Sequence, residues 1–409
     1  MPKKIALIQF VSALHEASDI WESHRPLFNA LDQAYELVYA RPGQVFDADL
    51  TVVFIVSGGV ENQFMASADK LPRPLILLAD GRHNSLAASL EIMSWLGRQG
   101  ENAELIHGDS GQILSRLQEL ILFEATRKAL AEPLGIIGDP SDWLIGSTVD
   151  EPAAQKRWGT RFYRVDIAAL SQGAVRVSAD EAAAVAQRFA DPACRQSVSQ
   201  AELNSAARIY PALRDLLALH GLNAATVRCF ALLESLGTTG CLALSMLSDE
   251  GKICGCEGDV ASLFSMLLLY HLTGEMPFMA NPSRINAGAN EVILAHCTVP
   301  ARATQGYGVC SHFESNRGVG IAGDMPLGPA TLFKVGGSGL DEYFVSSASV
   351  LEHEAETGLC RTQVRLCLLD SSVDYFFRSP LANHHVIIKG DHADLVRRFM
   401  SHCARFPRA

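Results

Sequence analysis

Leu50-Thr51-Val52-Val53-Phe54-Ile55-Val56-Ser57-Gly58-Gly59 is the stretch on which the fold turns. A nearly unbroken β-branched and aromatic run, without polar alternation, reads as a strand buried on both faces. The Ser-Gly-Gly that stops it reads as a strand-to-helix turn. The same texture extends to either side. Ile5–Phe10, Tyr35–Ala40, Pro74–Ala79 and Ala103–His107 read as strands. Trp21–Ala34, Glu61–Lys70, Ser85–Arg98 and Gln112–Leu130 read as helices between them. Short apolar strands separated by helices predict a parallel sheet covered on both faces.

Pro133 ends this pattern, because proline breaks a helix, and a second α/β unit opens at Leu134-Gly135-Ile136-Ile137-Gly138. Arg161–Ile167, Thr226–Phe230 and Lys252–Cys256 read as strands. Glu181–Ala190, Ala201–His220, Gly240–Leu247 and Val260–Leu272 read as helices, the last stopped by Gly274. From about residue 290, strand-like runs with Gly, Pro and Ser between them take over, up to a final helix at Ala393–Cys403. The predicted class is α/β: two doubly wound α/β domains, residues 1–132 and 133–285, then a mainly antiparallel, barrel-like β domain, residues 286–409.

Composition narrows the function. The 409 residues carry a net charge of −11, which argues against nucleic acid as the main partner, since phosphate binding needs a cationic face. The apolar run after Met1-Pro2-Lys3-Lys4 is too short for a signal peptide. The longest apolar stretch, around Phe264–Tyr270, is far below a membrane span. A cytoplasmic protein without a membrane partner is expected. The ten cysteines are scattered, with one C-x-C at Cys254-Gly255-Cys256, and read as reduced core thiols. Ser57-Gly58-Gly59 matches no dinucleotide fingerprint and no P-loop lysine follows it.

The chemistry concentrates in four short segments: Cys256-Glu257-Gly258-Asp259-Val260, Ala280-Asn281, Ala295-His296-Cys297 and His384-His385. They place a carboxylate, an amide and imidazoles at the junctions of apolar segments, which suits a hard or borderline divalent cation. Taken alone, Glu257 could be a helix-start acid, but a buried carboxylate is costly unless paired or metal-bound. Asp259 reads as a helix N-terminal residue. His384 and His385 open a strand, so their rings point to opposite faces and at most one is a ligand; His385 is favoured, with Asn383 and Asp391 as orienting partners. Gly138-Asp139-Pro140-Ser141-Asp142-Trp143-Leu144 follows a strand, where Ser141 and Trp143 suit a polyol, though Ser141 could equally cap a helix and Trp143 be core. Arg361-Thr362-Gln363 and His312-Phe313-Glu314-Ser315 could bind hydroxyls or seal a subunit interface.

In their order along the chain these segments, together with Arg228-Cys229-Phe230, Thr239-Gly240-Cys241-Leu242-Ala243 and Phe278-Met279-Ala280-Asn281, resemble the L-fucose isomerase and L-arabinose isomerase superfamily, in its short fucose-isomerase-like branch. The resemblance spans roughly residues 134–394; the N-terminal domain matches by architecture only. It implies three domains, with a site between the second and third that is closed by a neighbour's N-terminal domain in a homotrimer or homohexamer. It implies a monosaccharide substrate and a metal-dependent aldose–ketose isomerase, an intramolecular oxidoreductase working through an ene-diol. The implied cofactor is Mn²⁺, with Mg²⁺ or Co²⁺ as substitutes, held by Glu257, Asn281 and His384 or His385. The implied catalytic set is Glu257, Asn281 and His296, and the substrate-binding set Ser141, Trp143, Arg361 and Asn383. His296 resembles a histidine that ligates metal in the arabinose enzymes. Asn281 departs from the family, whose fucose enzymes carry a second acid there. An amide can ligate but cannot accept a proton as a carboxylate does. That departure motivates the alternative, a sugar-binding protein that kept the fold and lost turnover.

Overall fold

In the computed structural model, which describes residues 2–13, 17–44 and 46–407, the chain divides into two units. One runs up to Arg127 and includes His402–Phe406; the other is formed by Lys128–Ser401.

The first unit is a five-stranded parallel sheet built from β1 (Lys4–Phe10), β2 (Glu36–Ala40), β3 (Leu50–Ile55), β4 (Leu75–Leu78) and β5 (Ala103–Ile106). Their order is β2-β1-β3-β4-β5, with Ile5 opposite both Leu37 and Leu50. Helices Ala17–Ala34, Ser85–Arg98 and Ser110–Leu130 alternate with the strands, as the periodicity predicts. Part of the core is gathered around Phe10, Val53, Ile55, Phe64 and Leu77. The helix read over Glu61–Lys70 is two short pieces, Glu61–Met65 and a 3₁₀ turn at Ala68–Lys70.

The second unit opens with a four-stranded parallel sheet. Its strands are β6 (Pro133–Ile137), β7 (Arg161–Val165), β9 (Ala224–Val227) and β10 (Ile253–Cys256), in the order β10-β9-β6-β7. The short β8 (Arg195–Gln196) pairs instead with β13 (Gly306–Cys310), which also carries β14 (Gly320–Asp324). The remaining strands are β11 (Phe278–Asn286), β12 (Glu291–His296), β15 (Gly328–Gly336), β16 (Glu342–His353), β17 (Thr362–Leu368) and β18 (His385–Lys389). They close into a barrel in the order β11-β12-β17-β16-β15-β18. The fold is thus mixed α/β, with two parallel sheets and an antiparallel six-stranded barrel.

Three local departures from the sequence reading have identifiable causes. The helix read over Ala201–His220 is two, Gln200–Ala207 and Ile209–Leu219. Pro211 has no N–H for the Ala207 carbonyl and its ring crowds that oxygen. The strand read over Thr226–Phe230 stops at Val227, and helix Cys229–Leu236 begins where Arg228 leaves the extended region. The first barrel strand, Phe278–Asn286, precedes the point from which β structure was read; Pro282 masks it, and the ladder slips between Pro282 and Arg284, where a strand tolerates proline.

Helix Val260–Thr273 is buried over most of its length. Two serines on it tie it to β15: Ser265 Oγ accepts from Val335 N at 2.9 Å and Ser262 Oγ accepts from Lys334 Nζ at 2.8 Å. Among the described residues no helix is long and apolar enough to cross a membrane.

Candidate metal centre

The chain leaves β10 through two left-handed residues, Glu257 at φ 63° and Gly258 at φ 74°. Gly258 is required there, since a Cβ would lie 2.7 Å from Pro140 Cα. Glu257 bears a side chain in this conformation at a cost of roughly 1–2 kcal/mol, a strain of the kind found at functional sites. Its backbone is pinned, because Ser141 N–H donates to Glu257 O at 2.9 Å. Asp259 then caps the buried helix, accepting from Ser262 N at 2.8 Å and from Ser262 Oγ at 2.7 Å.

This turn aims the Glu257 carboxylate at two imidazoles. Oε1 lies 3.5 Å from His384 Nε2 and 3.8 Å from His296 Nε2, while Oε2 accepts from Trp143 Nε1 at 2.6 Å. One ligand atom from each of Glu257, His296 and His384 lies within 4.8 Å of the others, and all three residues are buried. His384 turns its other nitrogen to Asp259, donating from Nδ1 to Oδ2 at 2.9 Å. Lys334 Nζ stands 3.7 Å from the same oxygen.

Electrostatics follow from this packing. Burial alone would raise the Glu257 carboxyl, but the imidazoles of His296 and His384 hold it well below the usual carboxylate range. Asp259 is likewise depressed against its burial, by Lys334 and His384. Burial opposes a charged His384, yet Asp259 and Glu257 push it up to about 9. His296 is lowered, chiefly by burial.

His384 Nε2 is buried and has no hydrogen-bond partner. An orphaned nitrogen facing a carboxylate, with its far side held by a second carboxylate, is the arrangement in which proteins orient a metal-binding histidine. The residues fit a divalent cation with mixed nitrogen and oxygen preference.

The other anticipated residues fall as follows. His385 points away from this cluster. Its Nδ1 donates to Asn383 O at 3.0 Å, its Nε2 meets Tyr375 Oη at 3.0 Å, and Phe344 and Phe376 pack against the ring. Burial and then the charge of Lys334 push its pKa down to about 3. The sequence favours His385 as the ligand; of the two adjacent rings, the structure turns His384 to Glu257 and commits both nitrogens of His385 elsewhere. Asn281 and Asn383 pair with each other, Asn383 Nδ2 donating to Asn281 Oδ1 at 3.1 Å. Ala280 is opposite His385 on the neighbouring strand, so Asn281 lies within β11 at the level where His384 leads into β18. Ser141 Oγ is buried without a hydrogen-bond partner. Trp143 is 52% exposed, with Phe230 against its edge at 5.0 Å. Arg361 is turned to a loop instead, donating from Nε to Ser311 O at 2.7 Å and lying over the Phe313 ring.

Sequence reasoning missed Lys334, whose one visible sign was a charge inside an otherwise apolar strand. It read Asp259 as a helix N-terminal residue and did not show that Asp259 holds His384. Arg228 went unassigned, although it braces the Trp143 loop by donating to Pro140 O at 2.9 Å and to Asp142 Oδ2 at 3.0 Å.

Fold and site together define a class: a parallel α/β sheet joined to an antiparallel barrel, with a buried carboxylate–imidazole centre at the end of β10. No family model matches the chain. It is similar to the sulfoquinovose isomerases of Priestia aryabhattai and Priestia megaterium, each 24% identical over 234 residues, 56% of this chain and 52% of the relative. It is also 33% identical to the sulfoquinovose isomerase of Clostridium sp. (strain MSTE9) over 137 residues, 32% of this chain and 30% of that one. The chain spans about half the length of the first two relatives.

Proposed function

We propose that the protein is a metal-dependent aldose–ketose isomerase that interconverts a monosaccharide through an ene-diol. The observation that carries this is the orphaned, buried His384 Nε2 facing the Glu257 carboxylate. Similarity to sulfoquinovose isomerases supports the reaction and makes sulfoquinovose, a sulfonated hexose, the first substrate to try. Glu257 and His384 hold the cation, and Asn281 offers an amide oxygen beside them. Mn²⁺, or Mg²⁺ or Co²⁺ in its place, would supply Lewis-acid polarisation of the sugar carbonyl. Glu257 is the carboxylate that receives the proton from sugar C2. Asp259 is committed to Ser262, His384 and Lys334, and so cannot share that task. The exposed face of Trp143 packs on the sugar, and Ser141, Asn383 and Arg361 are the remaining substrate contacts in this reading. The division into domains at about 132 and 285, a homotrimer or homohexamer and a cytoplasmic location belong to the same proposal.

The test is metal analysis of the purified chain, followed by incubation with sulfoquinovose, fucose and arabinose in D₂O. Deuterium should enter the sugar with metal present and stop after dialysis against a chelator. The melting temperature should fall on chelation and recover with Mn²⁺, since a ligand of the native state stabilises it. Metal uptake without deuterium exchange into any sugar would support a binding protein of this fold instead.

A further inference from the structure

The two imidazoles that face Glu257 are not equivalent, and the difference deepens the reading above, on which it rests. His296 Nδ1 accepts a hydrogen bond from the backbone N–H of Thr298 at 3.2 Å. A peptide N–H can only donate, so this nitrogen bears no proton, and the ring proton sits on Nε2. Nε2 is the atom that faces Glu257 Oε1. The arrangement is fixed by backbone. Ile321 N–H donates to Cys297 O at 3.0 Å, and His296 is paired with Thr362 across the β12–β17 ladder.

His384 is held the opposite way. Its Nδ1 meets Asp259 Oδ2, and Asp259 already accepts from Ser262 N and Ser262 Oγ and stands beside Lys334 Nζ. A carboxylate so surrounded by donors is an acceptor, so Nδ1 of His384 carries the fixed proton and Nε2 is the exchangeable position.

We propose that of these two imidazoles only His384 ligates the cation, and that His296 is a neutral Nε2–H donor to an oxygen of the bound sugar. A ligand nitrogen needs its lone pair. For His296 Nε2 to have one, the proton would have to move to Nδ1, where it would oppose the N–H of Thr298. The catalytic use is direct. As the C2 proton leaves, negative charge grows on the carbonyl oxygen, and a neutral imidazole N–H aimed there stabilises it without giving up its proton. Such a donor also relieves a site that has Asn281 where a second acid would serve.

The experiment combines pulsed EPR on the Mn²⁺-loaded protein with imidazole ¹⁵N NMR on the metal-free protein. One coordinated histidine nitrogen is expected in the wild type, retained in His296→Gln and lost in His384→Gln. Mn²⁺ affinity should change by less than about threefold in His296→Gln while kcat falls about 10²-fold, the scale for one oxyanion donor. The ¹⁵N spectrum should show His296 protonated at Nε2. Two coordinated nitrogens in the wild type, or an Nδ1-protonated His296, would overturn the proposal whether or not the variants fold. A chain that takes up no divalent cation defeats the metal reading itself, and the ¹⁵N spectrum then still decides the state of His296.

Discussion

Lys334 and Asp259 form an ion pair with no solvent exposure on either side chain, Nζ lying 3.7 Å from Oδ2. Removing one partner of a buried pair leaves the other charge without compensation and costs about 3–5 kcal/mol. Lys334→Met should therefore lower unfolding stability by that order, read by denaturant titration. Adding Asp259→Asn to Lys334→Met should recover part of the loss. It should still weaken Mn²⁺ binding about 10–100-fold, because His384 loses the group that orients it. Recovery of stability without any loss of metal affinity would mean that Asp259 plays no part in holding His384.

Glu257→Gln should keep the fold and lower turnover by at least about 10²-fold, the scale for a positioned base. The amide still accepts from Trp143 but no longer pairs with two imidazoles. Unchanged turnover in steady-state assays would remove Glu257 from the chemistry.

Gly258→Ala places a methyl 2.7 Å from Pro140 Cα at a φ of 74°. Since the 138–143 loop and the Glu257 turn interlock there, the substitution should cost about 1–3 kcal/mol. It should also part Trp143 from Glu257, which the tryptophan fluorescence spectrum would report.

Asn281→Asp separates two roles. If Asn281 is a ligand, the carboxylate tightens Mn²⁺ binding. If its amide N–H serves a sugar hydroxyl, substrate affinity falls by about 1–3 kcal/mol for the unpaired group. Calorimetry of metal and sugar on this one variant decides, and no change in either would place Asn281 outside the site.

The pH response of the first unit follows from His402, whose ring nitrogens lie 3.5 Å from Glu124 and 3.8 Å from Glu104. Burial lowers the His402 pKa, but the two carboxylates outweigh it and the net shift is upward. Burial raises Glu104, but His402 and Arg116 draw it down to about 2. The raised histidine contributes fully below about 6.5, its unfolded value, and its contribution is lost as pH rises through the folded pKa. The depressed carboxyl contributes fully above its ordinary 4.5 and loses this as pH falls toward about 2. Stability of this unit should thus be flat between about 4.5 and 6.5 and fall on both sides. His402→Gln should remove the alkaline decline, measured by hydrogen exchange in β5 and in helix Ser110–Leu130.

The parallel strands of the first unit were legible because strands buried on both faces are continuous apolar runs, as in Leu50–Ile55. The Glu257 cluster was legible in part, because polar residues at the ends of apolar segments need a reason to be there. Which of His384 and His385 faces Glu257 was not. Strand alternation says that the two rings diverge, and only tertiary packing of Tyr375 and Phe344 decides which side is which. Lys334 was hidden for a related reason: its partner, Asp259, is distant in sequence, and a strand pattern carries no record of the residue a lone charge will meet.

The strand that brings His384 is the last to be made, and it closes the barrel by entering between β11 and β15. On a ribosome, Glu257 and Asp259 emerge long before it, and Lys334 emerges between. The nascent centre therefore has its two acids and His296 but lacks His384 until the final β pairing occurs. Completion of the centre and closure of the barrel become a single late event in the making of each chain, so a product released before residue 384 would have most of its mass and an unfinished centre.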